Sequence, residues 1–116
     1  MKMNITARHF KAPDKLKIFI ENEINRLEKF FDNIIDCDVI LDYIRTNNSK
    51  QSAEIRMKVY GQVLSVSAIS DDMYKSVDLA VGKLERKLKK YKARLRSFSH
   101  EKAVLHVMEG KAYEEE

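Results

Sequence analysis

The sequence predicts an α+β domain in the order β-α-β-β-β-α, a four-stranded mixed sheet with two helices packed on one face. Three observations carry this. Four segments alternate apolar and polar residues with period two. Two longer segments repeat apolar residues every three or four positions. The chain of 116 residues has one Pro and three Gly, which leaves little room for linkers. A chain of this length holds one domain with a single modest core.

The elements follow in order. Residues 3–9, MNITARH, place Met3, Ile5 and Ala7 on one side and Asn4, Thr6 and Arg8 on the other, as in a half-buried strand. Pro13 and Asp14 mark a helix start, because Pro suits the first turn and an acid there meets the positive end of the helix dipole. Leu16, Ile20, Ile24, Leu27 and Phe31 form one apolar stripe on a helix of about five turns, with Asn33 as its stop. Residues 34–44, IIDCDVILDYI, put Ile35, Cys37, Val39, Leu41 and Tyr43 on one face and Asp36, Asp38 and Asp42 on the other. Asn47, Asn48 and Ser49 supply a turn.

Residues 52–60 alternate again, with Ala53, Ile55, Met57 and Val59 inward. Gly61-Gln62 makes a short hairpin turn into a strand at 63–70, where Leu64, Val66 and Ala68 face inward and Val63 and Ile69 face out. Asp71 and Asp72 open a long helix whose stripe is Val77, Val81, Leu84, Leu88, Tyr91 and Leu95. The first β-α-β should be a parallel crossover and the remaining strands an antiparallel meander. Residues 97–116 show no clean period and read as a mobile tail with an acidic end, Glu114-Glu115-Glu116, after a domain at 1–96.

The charge is unevenly placed. The net charge is +4, yet residues 73–96 hold nine basic and two acidic groups, and residues 97–116 hold two basic and five acidic. On a helical wheel with Val77 at zero, the apolar stripe lies within about 40°, whereas Lys83, Arg86, Lys87, Lys90 and Arg94 fall between roughly 180° and 280°. No acid interrupts those five. A solvated helix face usually mixes signs and gains from Glu–Lys pairs one turn apart. Five unrelieved cations repel one another until a polyanion neutralises them and releases its counterions. The pattern therefore favours nucleic acid, met mainly through phosphates and shape.

Other classes fit less well. An interfacial membrane helix needs its apolar face free for lipid, and here the sheet claims it. No apolar run approaches the roughly 18 residues of a membrane span. The opening MKMNITARHF lacks a signal-peptide core, so a cytoplasmic protein is expected. Cys37, the single cysteine, excludes an internal disulfide and reads as a buried, inert thiol. His9, His100 and His106 do not cluster, and HEKAV at 100–104 lacks the second His of a zinc helix. The three aspartates of the second strand read as a wet face rather than a metal site. No catalytic constellation, metal site, cofactor or small-molecule site is expected.

Three stretches, MNITARHF at 3–10, RLEKFF at 26–31 and DDMYKSVDLAVGKLERKLKKYKARL at 71–95, give the chain a family resemblance. It resembles the bacterial ribosome hibernation factors, the group of short hibernation-promoting factors and ribosome-associated inhibitor A, over about residues 1–96. The resemblance implies the same fold. It also implies binding to the small ribosomal subunit between head and body, in the messenger channel and anticodon sites. Idle ribosomes would be silenced there under stress or in stationary phase. It makes small-subunit rRNA the polyanion, with Lys83, Arg86, Lys87, Lys90 and Arg94 as contacts and Lys29 and Arg8 as further candidates.

The length of 116 residues leaves no room for the dimerising second domain of longer members, and a monomer is expected when the protein is free. YEEE at 113–116 resembles the acidic end of inhibitor-type members. Two other readings compete, a general double-stranded RNA-binding module and a protein-interaction domain whose basic helix meets an acidic partner.

Overall fold

Six elements make up the fold: β1 (Lys2–Arg8), α1 (Asp14–Glu28), β2 (Ile34–Ile44), β3 (Lys50–Val59), β4 (Gln62–Ser70) and α2 (Met73–Glu109). The computed structural model describes residues 1–44 and 50–109, with side chains other than those of 96–109. The expected turn at 47–49 and the acidic end at 114–116 lie outside the described residues.

The sheet order is β1-β2-β3-β4, with β1 parallel to β2 and the other pairs antiparallel. Parallel neighbours cannot be joined by a tight turn, so α1 supplies the crossover. Period-two alternation then stacks side chains in rows across the strands. Met3, Cys37, Met57 and Leu64 form one row, Ile5, Val39, Ile55 and Val66 the next, and Ala7, Leu41, Ala53 and Ala68 the third. These rows are the floor of the core. The β1 members are only partly buried, because β1 is an edge.

Both helices lie on this face. α1 buries Leu16, Ile20, Ile24 and Leu27, and α2 buries Met73, Val77, Ala80, Val81, Leu84, Leu88 and Tyr91, all in one cluster with the sheet. Each such Leu or Ile stabilises the fold by roughly 1.5–3 kcal/mol relative to exposure.

Several details differ from the sequence expectation. β1 stops at Arg8, since His9 turns into the left-handed region at φ 67. α1 ends at Glu28, a turn earlier than the stripe implied; Phe31 lies beyond the helix yet still reaches the core, 8% exposed. In β2 it is Ile34 that is buried, and Ile35 is 48% exposed. The β2–β3 register shifts between Ile34 and Asp36, and that irregularity reverses the alternation at the strand's first residue. The hairpin turn is Tyr60-Gly61, one residue earlier than expected, because Val59 pairs with Gln62 and Gly61 supplies the positive φ of 89. β4 faces as expected, with Leu64, Val66 and Ala68 buried and Val63 and Ile69 out.

α2 is fixed at its start by a polar lock. The Asp72 carboxylate Oδ1 accepts the Tyr74 N–H at 3.1 Å, and its carbonyl accepts the Ser76 N–H at 2.9 Å. Ser76 is fully buried, donates to the Gln51 carbonyl at 2.6 Å and meets the Ser70 hydroxyl at 2.6 Å. Further along, the Tyr91 hydroxyl donates to the Tyr60 carbonyl at 2.7 Å and ties the helix to the hairpin turn. The backbone of α2 continues to Glu109, so residue 97 is not an element boundary.

Candidate nucleic-acid interface

The wheel separates two basic flanks of α2, and the fold treats them differently. On the flank towards α1, cations are consumed internally. Lys89 lies 3.6 Å from Glu85, which also meets Arg26 at 3.8 Å. Lys92 donates to the Phe30 carbonyl at 3.1 Å and sits 5.5 Å from the centre of the Phe31 ring. The Arg26–Glu85 pair ties α2 to α1, and Lys92 ties it to the segment that follows α1.

The other flank overhangs β4. Lys83 donates to the Ser67 carbonyl at 2.7 Å, and Lys87 to the Ser65 carbonyl at 2.8 Å. With Arg86 and Lys90 they line an open groove of about 620 Å³ whose floor is Ser65, Val66 and Ser67. Arg94 is exposed further along the same stripe. Among the described residues, no acid pairs with Lys83, Arg86, Lys87 or Lys90 in an ion pair. The two lysines lend one proton each to backbone carbonyls, and an ammonium has three. Their charge remains available to a polyanion.

The remaining sequence candidates stand apart. Lys29 caps the C-terminal end of α1, next to the Phe30 carbonyl that Lys92 occupies. Arg8 closes β1 on the uncovered sheet face, three strands from β4 and paired in register with Asp42. At about 4.8 Å per strand it lies roughly 14 Å across the sheet from the groove. The stripe thus comes together, and Lys29 and Arg8 do not join it. Ser65 and Ser67 are the groove residues that sequence reasoning missed. Their only signal was their outward phase on a strand lacking charge.

Burial, reinforced by the nearby charges of Asp38 and Asp36, pushes the Cys37 thiol up to about 12, so it is not a nucleophile at neutral pH. No three His, Cys, Asp or Glu side chains among the described residues are grouped to hold a metal. No described helix is long and apolar enough to cross a membrane.

A family described as Sigma 54 modulation protein / S30EA ribosomal protein matches residues 3–96, which include every element of the sheet and the stripe on α2. The chain belongs to this family. Among S30EA relatives, the ribosome hibernation promoting factor of Azotobacter vinelandii is 35% identical over 92 residues, covering 79% of this chain and 83% of that protein. The ribosome hibernation promotion factor of Bacillus subtilis (strain 168) is 30% identical over 95 residues, covering 82% of this chain but 50% of that protein. The chain therefore spans about half the length of the longer relative. A solved ribosomal subunit interface protein from Coxiella burnetii superposes with a TM-score of 0.72 at 31% identity, over 80% of this chain and 99% of that one. The Protein Y N-terminal domain of Thermus thermophilus does so at 0.71 and 25% identity, over 78% and 99%. The four-stranded sheet and two helices are thus shared with ribosomal interface proteins.

Proposed function

We propose that this S30EA-family protein is a cytoplasmic, non-enzymatic ribosome hibernation factor. It binds the small ribosomal subunit in the messenger and tRNA channel and inhibits translation under stress or in stationary phase. Residues 1–96 form the binding unit, and 97–116, into which the α2 backbone continues as far as Glu109, extend beyond it. The observation that carries this reading is the acid-free stripe of Lys83, Arg86, Lys87 and Lys90 over the β4 groove, inside the span that matches the family. The names of the relatives, hibernation factors and a subunit interface protein, supply the partner. Phosphates of rRNA neutralise the stripe, and Arg94 extends the contact. Lys29 and Arg8 meet other parts of the subunit, since they lie away from the groove. Inhibition follows from occupancy, because tRNA and messenger need the same space.

The test is a sucrose gradient of purified bacterial ribosomes with the protein added at low and moderate salt. Co-migration with the small subunit and whole ribosomes at moderate salt is expected. Protein that stays at the top, or travels with ribosomes only at low salt, would refute the reading. Equal affinity for any A-form duplex would favour the general double-stranded RNA module instead.

A further inference from the structure

β4 is an edge strand, and its sequence QVLSVSAIS carries no charge and no Pro. It pairs with β3 in unbroken register from Gln62 to Ser70, so no bulge turns the edge away. Exposed edges of this kind are templates for another strand, and proteins usually blunt them with charge, Pro or bulges. The opposite edge, β1, carries Lys2 and Arg8. For β4 the cover comes from another element, the two lysines of α2 bound to the carbonyls of Ser65 and Ser67.

Those hydrogen bonds also fix the strand's orientation. Backbone groups of alternate residues in an antiparallel strand point to opposite sides. The Ser65 and Ser67 carbonyls reach the lysines, so the backbones of these residues face the open edge, and those of Leu64, Val66 and Ala68 face β3. The chemistry beside this edge is two-sided. On the helix side stand Lys83, Arg86, Lys87 and Lys90. On the other side Val63 and Ile69 flank the serines, 56% and 58% exposed. A strand laid along β4 would send successive side chains alternately to these two sides.

We propose that the β4 edge is a docking site for an extended peptide of alternating acidic and apolar residues, added as a fifth strand. Its acids meet the α2 cations, and its apolar residues cover Val63 and Ile69. Lys83 and Lys87 exchange the edge carbonyls for the peptide's carboxylates, and the peptide's N–H groups take over those carbonyls. A second copy of β4 fits poorly, because it is uncharged and would bring two cationic stripes together. An RNA strand satisfies the cations but offers no N–H at strand spacing for the carbonyls. This inference does not rest on ribosome binding.

The test uses the full chain without ribosomes or RNA, titrated by NMR with a capped peptide of alternating Glu and Val, seven residues long. Amide shifts centred on Val63–Ile69 are expected, with slowed hydrogen exchange at Ser65 and Ser67. A peptide N-methylated at alternate positions, and one with Gln for Glu, should each bind about tenfold more weakly, because one loses the ladder and the other the charge. Ser67→Pro removes an N–H that points outward, so it should leave the melting temperature nearly unchanged yet weaken peptide binding about tenfold. Should that variant fail to fold, the N-methylated peptide decides alone. Absence of shifts at β4, or equal binding of the N-methylated peptide, would overturn the proposal. Peptide-induced self-association through β4 would overturn the choice of occupant.

Discussion

Cys37 sits at 0% exposure in the row with Met3, Met57 and Leu64, and its position makes it a reporter of the fold. Its pKa is raised in the folded state by burial, so the native protein holds the thiol proton while the unfolded chain releases it near pH 9. The stability it contributes is full below that pH and is lost as pH rises towards about 12. The wild type should therefore lose stability faster than Cys37→Ala above about pH 9, in denaturant melts run at matched pH. Parallel curves would show that the thiol titrates freely. Gly82 is the converse case. A Cβ there meets nothing within 4 Å, so the helix loses propensity without gaining a close approach. Gly82→Ala should stabilise the protein by about 0.5–1 kcal/mol in the same melts.

At the scale of elements, the start of α2 is the joint on which the candidate site depends. Ser76 links the helix to β3 through Gln51 and to β4 through Ser70. Ser76→Ala leaves the half-buried Gln51 carbonyl without this donor and should cost about 1–3 kcal/mol in chemical denaturation. A change below about 0.5 kcal/mol would mean that the lock adds nothing. Most elements were legible because burial imposes a period. The stripe of α2 and the alternation of β3 and β4 follow from it directly. Ile34 and Ile35 were not separable, because two adjacent isoleucines satisfy either phase until pairing with β3 sets the register. Phe31 continued the helical spacing, yet a turn carries it into the core. The same limit applies to the site. A wheel places Lys83, Arg86, Lys87 and Lys90 together, since one helix holds them. It cannot show that β4 is the edge beneath them, nor that Arg8 lies at the far edge, because strand order is a tertiary property.

Across the whole molecule, the two polar surfaces differ in how their charges are arranged. On the uncovered sheet face signs alternate between strands: Lys2, Asp36 and Lys58 share one row, and Asn4, Asp38 and Arg56 the next. Asn4 donates to Asp38 at 3.1 Å, and Arg56 donates to Glu54 at 3.0 Å. Opposite charges across and along these strands thus offset each other locally. Among the described residues, Lys83, Arg86, Lys87 and Lys90 on the α2 flank over β4 have no such acid beside them, so they dominate the field a polyanion meets. Two charge-matched variants separate this local effect from net charge. Arg86→Gln with Lys90→Gln, and Arg56→Gln with Lys58→Gln, each remove two positive charges. If the stripe holds phosphates, the first pair should weaken ribosome binding about tenfold or more at moderate salt and flatten its salt dependence by one to two counterions. The second pair should change affinity less than about twofold, since its cations already face acids. Equal losses from both pairs, measured by co-sedimentation across a salt series, would show that only overall charge matters, and the stripe would then be an ordinary solvated helix face.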